Sequence, residues 1–308
     1  MDERSVTPQI RTFFWGVGCA FAGIAGVVLF LFPERTDRFF AWTIVRGDTA
    51  AFIGALFLAV ALVSLLCYGV PRWADVRVCF RGVLAFVTAM AVATLLHLDQ
   101  FHFGSDAPVA LVAAWGWTIV YLVAPLAGFA LRSRQLRHPD AGGADADPDG
   151  PDPDGPDPDG PEPGEAVTPM LPGLRTLYLS QGVVLTVVAV VLFVAPGRAD
   201  ALWPWPLTPL AARAIASFLL GFGLMLFGAG RDDVADRLEP LGAACWWLAV
   251  LTGMAVTRFE GGFELGSVAG IVFSVVALSL FVGGVAGELA ARRLRPSPPD
   301  DGPSAPSN

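Results

Sequence analysis

The chain has 308 residues, of which 54% are hydrophobic and only 16% are charged, and its mean hydropathy is +0.59. Soluble domains carry roughly 25% charged residues, so this composition excludes a water-soluble globular fold of this size. The formal net charge of −8 comes largely from ten acidic residues between positions 140 and 165, and we expect no nucleic-acid partner.

Eight segments are apolar over about the 20 residues that a helix needs to cross a bilayer. Lipid cannot satisfy free backbone groups, and uniformly apolar runs favour helices over the alternating strands of a membrane barrel. We therefore predict an all-α integral membrane protein. In chain order the predicted spans are Phe13–Phe32, Thr49–Val70, Val78–Leu96, Pro108–Leu131, Leu177–Ala195, Leu207–Ala229, Leu241–Val256 and Leu265–Ala286.

Two sequence patterns recur at an offset of 162 to 163 residues. Pro-x-Arg-x-Asp-x-x-aromatic-x-Trp begins at Pro33 and again at Pro196, and Phe-x-x-Gly-Ser begins at Phe101 and again at Phe263. Each half contains four predicted spans, and an even number gives both halves the same orientation in the membrane. The sequence thus predicts two parallel four-helix repeats.

The domain boundaries follow from this repeat. We expect residues 1–136 to form the first repeat and residues 174–295 the second. The segment 137–173 varies the unit Pro-Asp-Pro-Asp-Gly, in which proline removes hydrogen-bond donors and the acids repel one another, so we expect a disordered linker. The tail, residues 296–308, is expected to be disordered for similar reasons.

The arginines predict the orientation. All twenty basic residues are arginine, and fourteen of them fall on the side that holds both termini and the linker. Basic residues concentrate on the cytoplasmic side of membrane proteins. We therefore expect a multi-pass plasma-membrane protein whose termini and linker are cytoplasmic.

A group of ionisable residues collects in the predicted outer loops, while the span interiors are nearly free of charge. Arg35 and Arg198 are each followed two residues later by a carboxylate, Asp37 or Asp200. Because arginine grips phosphate or carboxylate in a fork, we predict that these four residues bind a ligand. The simpler structural interpretation is that these residues cap helix ends and pair between loops.

A second outer-loop hypothesis concerns metal binding. His97, Asp99 and His102 could converge on an ion if the third span ends near His97 and the chain then turns. In a continuous helix the two histidines would lie about 140° apart around the axis, which is poor geometry for one metal. No cofactor is identified by the sequence.

The segment Leu95-Leu-His-Leu-Asp-Gln-Phe-His-Phe103, with Leu31-Phe-Pro-Glu-Arg-Thr-Asp37 before it, resembles uncharacterised multi-pass membrane proteins of GC-rich bacteria. The resemblance covers mainly the first half of the chain. It implies a membrane location and no particular activity.

Three functions remain open at this point. The first is a non-enzymatic accessory or binding component whose outer face engages a lipid headgroup, a small ligand or a membrane-protein partner. The second is a transporter whose pathway lies between the two repeats, which would require a continuous cavity there. The third is a metal-dependent membrane enzyme centred on His97, Asp99 and His102.

Overall fold

The computed structural model describes residues 4–137, 168–198, 203–259, 261–264 and 266–294. Among the described residues, eight helices are long and apolar enough to cross a membrane, which matches the number of apolar helices that the sequence predicts. Most of the predicted linker and the tail lie outside the described residues. The helices are α1 (Pro8–Leu31), α2 (Gly47–Tyr68), α3 (Trp73–Leu95), α4 (Pro108–Gln135), α5 (Pro172–Val194), α6 (Pro209–Asp232), α7 (Glu239–Arg258) and α8 (Val268–Arg293).

Several helices extend beyond the predicted spans into charged sequence. Helix α3 begins at Trp73, ahead of the predicted start at Val78, and α8 continues to Arg293, past the predicted end at Ala286. Hydropathy marks only the part of a helix that suits hydrocarbon. The backbone hydrogen-bond ladder continues equally well in water or among headgroups, so the helix ends lie outside the apolar run.

The eight helices form an inner and an outer group. In α2 and α6, 78% of the most apolar 18-residue stretch is buried, against 22–39% in α1, α4, α5 and α8. Helices α3 and α7 also belong to the inner group. Among these four, α2 packs against α7 and α3 packs against α6. The outer helices α1, α4, α5 and α8 pack on α2, α3, α6 and α7 respectively.

Several contacts of the first half recur in the second half, 162 to 164 residues later in the sequence. They include backbone hydrogen bonds in the loops and a Trp–Phe ring contact. The hydrogen bond from His102 N to Ala41 O (3.0 Å) corresponds to the one from Glu264 N to Pro204 O (2.8 Å). The bond from Arg35 N to Phe32 O (3.1 Å) corresponds to the one from Arg198 N to Ala195 O (2.9 Å). The bond from Trp73 N to Arg4 O (2.8 Å) corresponds to the one from Ala235 N to Thr168 O (3.0 Å). The ring pairs are Trp42–Phe101 (5.4 Å) and Trp205–Phe263 (4.5 Å).

Loop contacts gather the helix ends at two opposite faces. The distal face consists of residues 32–46, 96–107, 195–208 and 259–267, as far as these are described. The terminal face consists of residues 4–7, 69–72, 136–137, 168–171 and 233–238 together with the helix ends beside them. On the terminal face, Arg77 of α3 pairs with Asp232 of α6 at 2.8 Å, and Arg237 pairs with Asp75 of α3 at 2.9 Å. These ion pairs join the two halves of the chain.

Helices α7 and α8 approach each other closely where two glycines face each other. A Cβ atom on Gly242 would lie 2.7 Å from the Gly284 carbonyl oxygen, and a Cβ on Gly284 would lie 2.7 Å from the Gly242 carbonyl oxygen. Both distances are shorter than van der Waals contact. Glycine is therefore required at these positions for the two backbones to pack, as small residues commonly are between membrane helices.

We predict that Gly284→Ala destabilises the protein by about 1–3 kcal/mol, the usual cost of overpacking a filled interior. The matched control is Gly253→Ala in α7, where an added Cβ would meet nothing within 4 Å. Thermal unfolding of the detergent-purified variants measures the effect. Equal melting temperatures for the two variants would contradict the close packing of α7 on α8.

Candidate binding site at the distal face

A chain of hydrogen bonds at the distal face joins the start of α2 to loops of the second half. The Arg46 guanidinium donates to the Asp48 carboxylate, with Nε 3.1 Å from Oδ1, and to the Gly262 carbonyl oxygen at 2.9 Å. Asp48 also accepts the backbone N–H of Thr49. The Thr49 hydroxyl in turn accepts the indole N–H of Trp205 at 2.9 Å.

Asp48 is a buried carboxylate with a full set of partners. Its side chain sits in the first turn of α2, where the helix dipole favours negative charge. The hydrogen bond to Asp48 raises the pKa of the Arg46 guanidinium above its ordinary value, although burial opposes this. A buried pair that loses one partner leaves an uncompensated charge. We therefore assign Arg46 and Asp48 to holding the halves together.

The contact between Arg46 and Asp48 is not among the sequence predictions, although the sequence contains a signal for it. Arg46-Gly-Asp48 directly precedes the second apolar run, so a cation and an anion flank the predicted start of a helix. The partner groups, Trp205 and Gly262, lie more than 150 residues away in the chain. Sequence spacing alone does not identify such partners.

A second polar contact joins the halves at the end of α3. The Arg213 guanidinium donates to His97 Nε2 at 2.7 Å and to the Phe193 carbonyl oxygen at 3.1 Å. Since arginine has no acceptor, His97 accepts at Nε2 and is the neutral tautomer protonated on Nδ1. The Gln100 amide nitrogen Nε2 lies 3.1 Å from Nδ1. A proton on Nδ1 requires the opposite orientation of this amide, in which Oε1 accepts the hydrogen bond from Nδ1–H.

The other predicted metal ligands are placed differently. His102 Nδ1 lies 3.0 Å from the Phe40 carbonyl oxygen, and its Nε2 lies 2.9 Å from the Thr43 hydroxyl. Asp99 is exposed, whereas His97 is buried. Across the described part of the chain, no group of three His, Cys, Asp or Glu side chains is arranged to hold a metal ion. A metal at either imidazole would have to displace a hydrogen-bond partner.

The predicted ligand-binding arginines occupy corresponding positions. Arg35 ends the 3₁₀ turn Pro33–Arg35, and Arg198 ends the 3₁₀ turn Pro196–Arg198. Both side chains are exposed, and so is Asp37. Asp200, the fourth predicted residue, lies outside the described residues.

Arg38 pairs with the adjacent Asp37 at 3.9 Å. Three other arginines at or beside the distal face are engaged within the protein. Arg46 and Arg213 have the partners given above, and Arg258 donates to the Phe30 carbonyl oxygen at 2.8 Å. In the part of the chain that the structure describes, neither Arg35 nor Arg198 has a side-chain hydrogen bond or an ion pair. These two guanidiniums therefore have donors available to an external anion.

The interface between the halves is filled with aromatic side chains. Phe86 of α3 stacks on Phe218 of α6 with ring centroids 4.3 Å apart, and Phe57 of α2 meets Phe218 edge to face at 4.6 Å. These rings therefore pack closely at the interface between the two halves. The transporter hypothesis requires an open pathway at that interface.

Polar groups inside the spans bond mostly to their own helices. This behaviour is common for Ser and Thr and leaves little polarity for a ligand. Hydroxyls that donate to a carbonyl three or four residues earlier belong to Thr88, Thr94, Ser217, Ser274 and Ser279. Gln181 differs, because its Nε2 donates to the Ser279 hydroxyl at 3.1 Å while its buried Oε1 has no partner among the described residues.

We predict that stability falls as the pH falls below about 6.5. Burial, followed by the charge of Arg213, lowers the pKa of His97 from its ordinary value of 6.5 in the folded protein. The unfolded chain then binds more protons than the folded protein below that pH, so acid favours unfolding. The melting temperature should be lower at pH 5.5 than at pH 7.5, and His97→Gln should remove most of this difference.

The matched control is His102→Gln, which leaves the contact between His97 and Arg213 in place. It should keep the pH dependence of the wild-type protein. If His97→Gln kept it as well, the interpretation of the His97 contact would be wrong.

No protein-family model, curated protein or solved structure matches this chain.

Proposed function

We propose that the chain is a multi-pass plasma-membrane protein built from two parallel four-helix repeats, with both termini and the linker in the cytoplasm. The recurring loop contacts support the repeat, because they pair corresponding residues of the two halves. The helix packing supports it too: exchanging the halves turns the α2–α7 contact into the α6–α3 contact. The excess of arginine on the terminal face supports the orientation.

Within that architecture, we propose a non-enzymatic binding component that holds a phosphate-bearing group, such as a lipid headgroup, at its distal face. The observation that carries this proposal is the contrast among the arginines. Arg35 and Arg198 sit at corresponding turns with exposed, unengaged guanidiniums, whereas Arg46, Arg213 and Arg258 are engaged within the protein.

The surroundings of these arginines suit a membrane surface. Phe32, three residues before Arg35, is 47% exposed, and Val194, four residues before Arg198, is 75% exposed. Exposed apolar side chains directly beside a cation match the boundary between hydrocarbon and headgroups. A guanidinium at that depth can reach a lipid phosphate with two parallel hydrogen bonds.

We predict that Arg35→Gln/Arg198→Gln weakens retention of anionic lipid about tenfold or more. Each hydrogen bond to a charged group contributes about 1.5–3 kcal/mol, and each 1.4 kcal/mol is a factor of ten. The measurement is native mass spectrometry of protein released from nanodiscs that contain phosphatidylglycerol and phosphatidylcholine. Excess inorganic phosphate in a parallel sample distinguishes a lipid headgroup from free phosphate as the bound group.

The matched control is Arg134→Gln/Arg293→Gln, which removes two exposed arginines from the terminal face and changes the net charge equally. It should retain phosphatidylglycerol like the wild-type protein. Equal loss from both double variants would show a general charge effect, and a wild-type protein without bound lipid or phosphate would contradict the proposed site.

A further inference from the structure

An apolar groove of about 400 Å³ lies on the outside of the helix bundle, where the two halves of the chain meet. Helix α6 forms its floor, α3 and α5 form its sides, and Phe129 of α4 lies beside α3. We call it the interface groove. The Thr88 hydroxyl in its wall donates to a carbonyl of its own helix. The rest of the lining is hydrocarbon and includes Ala85, Val92, Val190, Phe193 and Leu220.

The face of α3 that lines the interface groove also carries an arginine. Helical spacing places five residues on one stripe, namely Arg81, Ala85, Thr88, Ala89 and Val92. Arg81 is exposed and lies one turn from Ala85, on the side of the terminal face. It falls inside the apolar run that begins at Val78. A charge within a membrane span is costly unless it is paired.

Helix α4 brings a second arginine to the same end of the groove. The two helices touch where a Cβ on Gly128 would lie 2.6 Å from Leu84. Arg81 is three residues from Leu84 and Arg132 is four residues from Gly128. Because α3 and α4 run in opposite directions, both arginines lie on the terminal-face side of this contact. In the described part of the chain, neither guanidinium has a hydrogen bond or an ion pair.

These two arginines carry uncompensated positive charge. Arg132 and Arg77 lie near enough for their charges to repel that of Arg81, and Asp232 acts in the opposite sense. The Asp232 carboxylate already pairs with Arg77 at 2.8 Å. Two positive charges, those of Arg81 and Arg132, therefore remain at the end of an apolar groove.

The corresponding helices of the second half solve the same problem internally. A groove among α2, α7 and α8 contains Arg292 together with Glu239 and Glu288. Arg292 pairs with both carboxylates, at 3.7 Å for Glu239. That arginine has its anions within the protein, whereas an anion for Arg81 and Arg132 has to come from outside.

We propose that the interface groove holds an anionic phospholipid from the leaflet on the side of the terminal face. Its phosphate lies between Arg81 and Arg132, since each guanidinium can donate two parallel hydrogen bonds to phosphate oxygens. One acyl chain follows the groove. Helix α3 rises about 16 Å from Arg81 to Val92, and one leaflet of hydrocarbon is about 15 Å thick, so the groove suits the length of one chain.

The site requires the proposed membrane location and uses neither Arg35 nor Arg198. The test is therefore made in an Arg35→Gln/Arg198→Gln background, in which the proposed distal-face site is removed. Failure of that site leaves this inference intact.

The test uses the full-length protein in nanodiscs with two photoreactive lipids. One is phosphatidylglycerol and the other phosphatidylcholine, each with a diazirine in one acyl chain. After illumination, mass spectrometry of peptides locates the labelled residues. We expect phosphatidylglycerol to label α3 between Ala85 and Val92, and α5 near Val190, about tenfold more than phosphatidylcholine does. Equal labelling by the two lipids would overturn the proposal.

Removing the two charges should remove the preference. Arg81→Gln/Arg132→Gln should reduce groove labelling by phosphatidylglycerol about tenfold. The matched control is Arg134→Gln/Arg293→Gln, which removes two other exposed arginines. Arg134 lies about 200° around α4 from Arg132, so the control should label like its parent. Equal loss from both double variants would show a general charge effect and overturn the site.

A third variant tests the groove itself. Ala85→Phe places a ring in the groove beside Arg81 and should lower phosphatidylglycerol labelling near Val190 to the level of phosphatidylcholine. Ala286→Phe, at an exposed position of α8, is the control and should change nothing. Excess inorganic phosphate, which has no chain for the groove, should not displace the lipid. Displacement by phosphate, or equal labelling of the two phenylalanine variants, would contradict a lipid occupant.

Discussion

In the membrane location that we propose, backbone hydrogen bonding in an apolar solvent is the constraint on which the rest of this structure depends. Hydrocarbon offers no partner to a free N–H or C=O group, so each apolar run becomes a helix. The same solvent penalises charge, which confines ionisable side chains to the two faces. Polar contacts between the halves therefore form at the helix ends, through Arg46 and Asp48 on one face and Arg77 and Asp232 on the other. Between the faces, apolar packing such as Phe86 on Phe218 joins them.

The two halves use this common plan differently. Trp117 and Tyr121 fill the interior of the first half, and the smaller residues at the corresponding places leave an apolar cavity of about 80 Å³ in the second. In our proposal the distal-face arginines recur in both halves.

The elements predicted from the sequence are those that follow from local composition. The eight spans, and the recurrence of Pro-x-Arg at two loops, can be recognised without knowing any contact. The partners of Arg46 and His97 could not be recognised in this way. Gly262 reaches Arg46, and Arg213 reaches His97, only after the helices pack. His97 illustrates the limit: its closeness in sequence to Asp99 and His102 suggested a metal ligand, whereas in the structure its ring contacts Arg213 and Gln100. The apolar cavity in the second half also depends on packing, since small residues in an apolar run do not reveal whether neighbours fill the space.

The most direct test of the parallel, membrane-spanning architecture is the accessibility of single cysteines at Gly104, Gly266 and Gly173 in a variant whose native cysteines are replaced by alanine. Each glycine is exposed, and an added Cβ would meet nothing within 4 Å. Gly104 and Gly266 occupy corresponding distal-face loops, and Gly173 lies at the terminal face. We predict that a membrane-impermeant maleimide labels cysteine at 104 and 266 in intact cells, and labels cysteine at 173 only after permeabilisation. Labelling of 104 and 266 from opposite sides of the membrane would contradict parallel halves.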